Sequence, residues 1–197
     1  MNISEDQLHK LVKEISLFNE IDIRDIPNID LYMDQVTTFF DDRLGHLKRG
    51  ENEPILTKTM INNYTKDKVI IPPKSKKYSR DHMILLILIY NLKQILSIND
   101  IKSLLMPLTI ELTTDEDPSI SLEDIYSAFV DIKSEELAGF QGYFEDKFTN
   151  IKEKLSEKNK DSIPKLELLL LVLSLITQAN SQKRLAEKII DTYFKSK

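Results

Sequence analysis

Apolar residues recur at intervals of three and four along most of this chain, the spacing that lines one face of a helix. The expected fold is therefore mainly α. From a cap at Ser4, Leu8, Leu11, Val12, Ile15 and Leu17 fall near one face of a first helix. A connector over 21–28 contains Pro27, and an amphipathic helix is expected over 31–44, with Leu31, Val36, Phe39, Phe40 and Leu44 as its apolar stripe. The string MILLILIY at 83–90 is apolar on every side. Such a helix is expected at the centre, with the others packed on it. Neither this run nor the one at 166–176, which holds Glu167 and Ser174, reaches the ~20 apolar residues of a membrane span.

The polar stretch TTDEDPSIS at 113–121, with Pro118, separates periodic segments on either side and is the expected hinge. It divides the chain into residues 1–112 and 113–197. After it, Ser121 and Asp124 make a capping-box-like start to one helix, and a second is expected from about residue 138. The second carries Phe144, Phe148, Ile151 and Leu155 at 4-3-4 spacing, a seam that either packs within the subunit or joins two subunits. Pro164 opens the last apolar helix, and a separate amphipathic helix over 181–194 turns Leu185, Ile189 and Ile190 inward. Tyr126, Phe129, Phe140, Tyr143, Phe144 and Phe148 concentrate aromatics in this half; core packing is the leading reading and an effector pocket the alternative.

Charge changes the picture in one place. Between residues 55 and 80 lie Lys58, Lys66, Lys68, Lys74, Lys76, Lys77 and Arg80 against Asp67 alone, a local balance of +6 in a chain of net −5. Everything outside that stretch then carries −11. A basic island on an acidic body draws phosphate to one face. A solvated lysine-rich loop is the plain alternative. Within the island, Thr57 is an N-cap and residues 57–66 form a short helix whose buried stripe is Met60, Ile61 and Tyr64. Lys58, Thr59, Asn62, Asn63 and Lys66 are left to solvent. Asn amides match the adenine edge and lysines match guanine or phosphate, as a helix in a major groove requires. Val69-Ile70-Ile71, stopped by Pro72-Pro73 and followed by Lys74, Lys76, Lys77 and Tyr78, reads as a hairpin wing over 69–78 that meets the backbone.

These residues carry a resemblance. Thr57 to Tyr64, then Val69-Ile70-Ile71-Pro72, then Lys77-Tyr78-Ser79 resembles the winged-helix head of MerR-type regulators. In those proteins a capped helix ends in tyrosine, a proline-terminated segment enters the wing, and a basic residue and tyrosine precede the next helix. The step Ser97 to Lys102 is also similar to that family's text. More closely, the chain resembles an uncharacterised bacterial family of MerR-like proteins, a domain of unknown function in which the string Met-Ile-Asn-Asn-Tyr-x-Lys recurs. Asn62 stands where arginine is usual, Lys68 replaces the wing-entry glycine, and the compact first helix gives way to a longer one and the loop 45–54.

The resemblance implies a DNA-binding transcriptional regulator with a MerR-like winged helix-turn-helix head and a C-terminal all-helical domain. Its DNA contacts would be Lys58, Thr59, Asn62, Asn63, Lys66, Lys74, Lys76, Lys77, Tyr78 and Arg80. Its partners would be double-stranded DNA and a second copy paired through Phe144, Phe148, Ile151 and Leu155, with an unknown small-molecule effector left open. The alternative is a helical protein–protein adaptor on the same scaffold.

Catalysis finds little support. His9, His46 and His82 lack metal-ligand spacing, Asp41-Asp42 diverge on their helix, and neither a glycine-rich phosphate loop nor a serine elbow is visible. No enzyme activity, metal or cofactor is expected. Absence of cysteine and of an apolar leader in the charged first twenty residues suits the cytoplasm, which is where the protein is expected.

Overall fold

The computed structural model of the protein describes residues 5–16, 21–50, 53–114, 120–157 and 164–195. The Ser4 cap, Leu17 and Pro118 with most of the proposed hinge lie outside these residues. Helices dominate: α1 Glu5–Ser16, α2 Met33–Leu44, α3 Lys58–Lys66, α4 Arg80–Leu92, α5 Ile98–Glu111, α6 Leu122–Ser156 and α7 Pro164–Tyr193. One two-stranded antiparallel sheet joins β1 Leu31–Tyr32 to β2 Lys77–Tyr78, with Leu31 opposite Tyr78 and Tyr32 opposite Lys77. No described helix is long and apolar enough to cross a membrane.

The chain divides into two compact units, and neither is a continuous half. One comprises Met1–Glu20 and Val130–Leu185, the other Ile21–Phe129 and Ala186–Lys197. This differs from a cut at 112/113, because α1 packs with the long C-terminal helices while the opening of α6 and the end of α7 pack with the central segment. Two further expectations are corrected. Instead of breaking near 138, α6 runs unbroken for 35 residues, and α7 continues for 30 residues through 181. Gly139 and Gly142 each weaken a helix by only about 1 kcal/mol, and no proline interrupts either helix.

In the unit containing Ile21–Phe129, α4 is the centre. All eight residues of its 83–90 string are buried, six of them completely. Burying each such aliphatic side chain contributes about 1.5–3 kcal/mol. Around it the core takes in Val36, Phe40 and Leu44 of α2, Ile61 and Tyr64 of α3, Ile101 and Leu105 of α5, and Leu122 and Tyr126 of α6. Residues 31 and 32, expected in α2, are instead β1. There the Tyr32 N–H donates to the Gln35 side-chain oxygen at 2.9 Å and so starts the helix.

Two polar side chains close this unit. Arg80, the first residue of α4, donates to the carbonyls of Ile23 at 2.8 Å and Ile26 at 3.0 Å. Its Nε lies 2.8 Å from the Glu123 carboxylate in the first turn of α6. Tyr126, fully buried one turn later, donates its hydroxyl to the Ile21 carbonyl. The same unit holds the C-terminal end of α7 through Ile190, which is buried, and through Lys195, which sits 2.8 Å from Asp100. Of the residues expected inward at this end, Leu185 and Ile189 are exposed, so only Ile190 serves the core.

In the other unit, Leu8 and Val12 of α1 pack with Phe144, Phe148 and Ile151 of α6 and Leu171 of α7, with Leu155 partly buried against them. The Phe144 and Phe148 rings stack 6.2 Å apart. The 4-3-4 seam is thereby consumed inside the chain. Leu11 and Ile15, expected on the packed face of α1, are exposed.

Replacing Arg80 should show how much the closing contacts hold. Arg80→Ala removes two hydrogen bonds and leaves two carbonyls without their donor, so unfolding in urea should cost about 3 kcal/mol less than for the unaltered chain. Arg80→Lys should recover only part of that, since one ammonium cannot reproduce the fork.

Candidate nucleic-acid interface

The Thr57 hydroxyl accepts the Met60 N–H at 3.1 Å and begins α3 as its sequence requires. Ile61 and Tyr64 are buried and Met60 half-buried, so the spacing of the inner stripe is realised. Lys58, Thr59, Asn62, Asn63 and Lys66 are all exposed. Their spacing of one, three, one and three puts them in a double row on a single side of the helix. Lys58 pairs with the Asp34 carboxylate from the start of α2. Both groups are more than half exposed, so that pair is weakly held and exchangeable.

The helix ends in a Schellman motif. Lys68 N–H donates to the Thr65 carbonyl at 3.1 Å and Val69 N–H to the Tyr64 carbonyl at 2.8 Å, with Lys68 in the left-handed region at φ 57°. This is the position where the resemblance led one to expect glycine. Val69 and Ile70 then go into the core and form no strand, which corrects the wing expected over 69–78. The lysine turn before them, and Pro72-Pro73 without N–H donors after them, leave no room for a ladder.

What remains of the hairpin is short. Lys77 N–H donates to the Lys74 carbonyl at 2.9 Å across a two-residue turn, Ser75 at φ 51° and Lys76 at φ 63°. Two successive positive φ values are the signature of the turn whose twist matches paired strands. The return strand β2 pairs with β1, not with 69–71. Lys74 and Lys76 are exposed, and the Lys77 ammonium lies 5.3 Å from the ring centroid of Tyr32, an exposed aromatic that sequence reasoning missed.

Two residues expected on DNA are placed otherwise. Tyr78 is buried, its ring edge-on to His82 at 5.5 Å, and Arg80 is engaged with Ile23, Ile26 and Glu123. Beside the island, Asn99 and Lys102 line, with Lys66 and Lys68, a cleft of about 390 Å³ between the end of α3 and the start of α5. The Ser97–Lys102 step was the available signal for them. As for the carboxylate pair, Asp41 holds the Lys48 ammonium at 2.9 Å. Among the described residues no group of three or more acidic or histidine side chains could hold a metal ion.

His82 supports the hairpin from below. Its Nδ1 accepts the Ser79 N–H at 3.0 Å, which puts the ring proton on Nε2. Burial pushes its pKa below the ordinary 6.5. The carbonyls of Pro72 and Ile71 act in the other direction and are outweighed.

The segment that contains the island and the core beneath it, residues 21–129, matches the family described as "Domain of unknown function (DUF1836)". The chain belongs to that family. No curated protein and no solved structure matches it. The limits of the DUF1836 match are also the limits of the compact unit's main segment, Ile21–Phe129. Arg80 and Tyr126 join the two ends of that segment, so the DUF1836 domain is closed by contacts made within its own limits.

Two consequences are measurable here. Because His82 is held neutral in the folded state, its contribution to stability is whole above pH 6.5 and is lost as pH falls from there through its lowered folded value. Urea midpoints should drop between pH 7 and 5, and less so for His82→Asn, which keeps an acceptor beside Ser79 without titrating. Lys68→Gly should raise stability by about 1 kcal/mol, since glycine adopts the left-handed conformation without the steric cost of a Cβ.

Proposed function

We propose that this protein is a sequence-specific regulator of transcription that binds double-stranded DNA through a MerR-like winged-helix head. In this reading α3 enters the major groove, Asn62 and Asn63 read base edges, and Lys58 and Lys66 meet base edges or flanking phosphates. The 74–77 turn acts as a reduced wing on the backbone. The observation that carries the reading is the exposed polar double row of α3, free of apolar side chains, within an island of +6 on a chain of −5. A second copy would let the head address a palindrome, as two-fold pairing does elsewhere. Pairing would need a surface other than 144–155.

A second reading, the helical adaptor, is favoured by one feature. Leu169, Val172, Leu173 and Ile176 lie at i, i+3, i+4 and i+7 on α7, and each is more than half exposed.

The regulator reading is tested by selecting bound duplexes from a random pool and measuring anisotropy of the selected sequence against salt. With about five phosphates contacted, log K should fall with log salt at a slope of about −4.5. Asn62→Ala and Asn63→Ala should flatten the selected preference, whereas Lys76→Ala should weaken every duplex alike and make the slope shallower by about 1. No binding at low salt would remove the regulator and leave the adaptor.

A further inference from the structure

Where α3 ends and α5 begins, within the unit that contains Ile21–Phe129, the cleft of about 390 Å³ is lined by Lys66, Asp67, Lys68, Ile98, Asn99 and Lys102. Three ammonium groups share it with one carboxylate, a balance of +2. In the island, Lys58, Lys77 and Arg80 are each engaged with a neighbouring side chain, Asp34, Tyr32 and Glu123. The ammonium groups of Lys66, Lys68 and Lys102 have no such partner among the described residues. Asp100, the next acid along α5, does not neutralise them, because its carboxylate is held by Lys195 at 2.8 Å and by Ser97 at 2.6 Å.

The backbone adds to the same sign. The last carbonyls of α3 already have donors: Asn63 accepts the Asp67 N–H, Tyr64 that of Val69 and Thr65 that of Lys68. The start of α5 is the opposite case. There the Ser97 hydroxyl accepts the Asp100 N–H, and the N–H groups of Ile98 and Asn99 have no acceptor within the helix. Ammonium groups, the Asn99 amide and free N–H groups are all donors, so the ligand must accept several hydrogen bonds and bring negative charge. A terminal phosphate carries about two negative charges and three acceptor oxygens, which matches the balance; one carboxylate offsets only half of it. We propose that this cleft is a phosphate-binding site, with Lys66, Lys68 and Lys102 as its cations and Asn99 as a neutral donor. The phosphate comes either from the end of a polyphosphate chain or from successive linkages of a duplex backbone. The site stands on its own geometry; only the duplex source rests on the regulator reading.

Two titrations of the full chain separate the sources: inorganic tripolyphosphate by calorimetry, and the selected duplex by anisotropy against salt. Both use Lys68→Gln and Lys102→Gln, which leave the exposed row of α3 intact. A polyphosphate source predicts saturable tripolyphosphate binding, weakened about three- to fivefold by each variant and tightened by Asp67→Asn. A duplex source predicts a salt slope shallower by about 1 at each variant, whether or not tripolyphosphate is held. Lys10→Gln, at an exposed lysine of α1 in the other unit, should leave both readouts as they were. The proposal is overturned when neither readout responds to Lys68→Gln and Lys102→Gln, or when Lys10→Gln changes them as much. Failure of the regulator is a separate result: no duplex binds at low salt, and the tripolyphosphate titration alone then decides the cleft.

Discussion

An all-round apolar helix can be stable in water only if chain covers it on every side, and α4 sets that requirement for the family domain. Cover has to come from segments far apart in sequence, the connector before α2 and the opening turns of α6. Their backbone carbonyls would be stranded at the edge of an apolar core unless a donor met them there. Arg80 is that donor, placed at the first residue of α4 with a planar fork able to serve Ile23 and Ile26 while facing Glu123. Tyr126 answers the same need at Ile21. The hydrophobic demand of one helix thus fixes where both ends of residues 21–129 must lie.

The island beside this core shows a compromise between backbone ease and charge. Three non-glycine residues, Lys68, Ser75 and Lys76, have left-handed backbone, each at a steric cost of about 1–2 kcal/mol relative to ordinary conformations. Glycine would remove that cost and the charge with it. The two lysines instead project from the tightest points of the chain, one at the end of α3 and one at the hairpin tip. Their backbones are held by the Schellman bonds and by the Lys74–Lys77 turn.

Much of this was readable in the amino-acid order, and the failures share a cause. The Thr57 cap, the inner stripe of α3 and the buried α4 follow from local chemistry, and all three are realised. What periodicity identifies is an apolar face, and it says nothing of the partner. The Phe144–Ile151 seam was as suitable for a second subunit as for α1, and α1 occupies it. Val69-Ile70 is β-branched and buried without being a strand, since such a composition suits a buried loop as well as a sheet. Arg80 and Tyr78 counted toward the basic face by proximity in sequence, while their side chains turn inward to carbonyls and a histidine that only the tertiary fold brings close.

The surroundings of the island bear on how selective it can be. Outside residues 55–80 the chain carries −11, so in the proposed regulator the net charge of the remaining chain would oppose a duplex and the island would supply the long-range attraction. Even there the charge is partly engaged, because Lys58 faces Asp34 and Lys77 lies near the Tyr32 ring. A phosphate must displace the Asp34 carboxylate to take Lys58, an exchange between exposed groups that costs about 1 kcal/mol or less. Such a surface gains little from any single backbone contact. In the proposed regulator, preference for one sequence over another would then have to arise at base edges, and on α3 the side chains suited to that task are Asn62 and Asn63, both exposed and one residue apart.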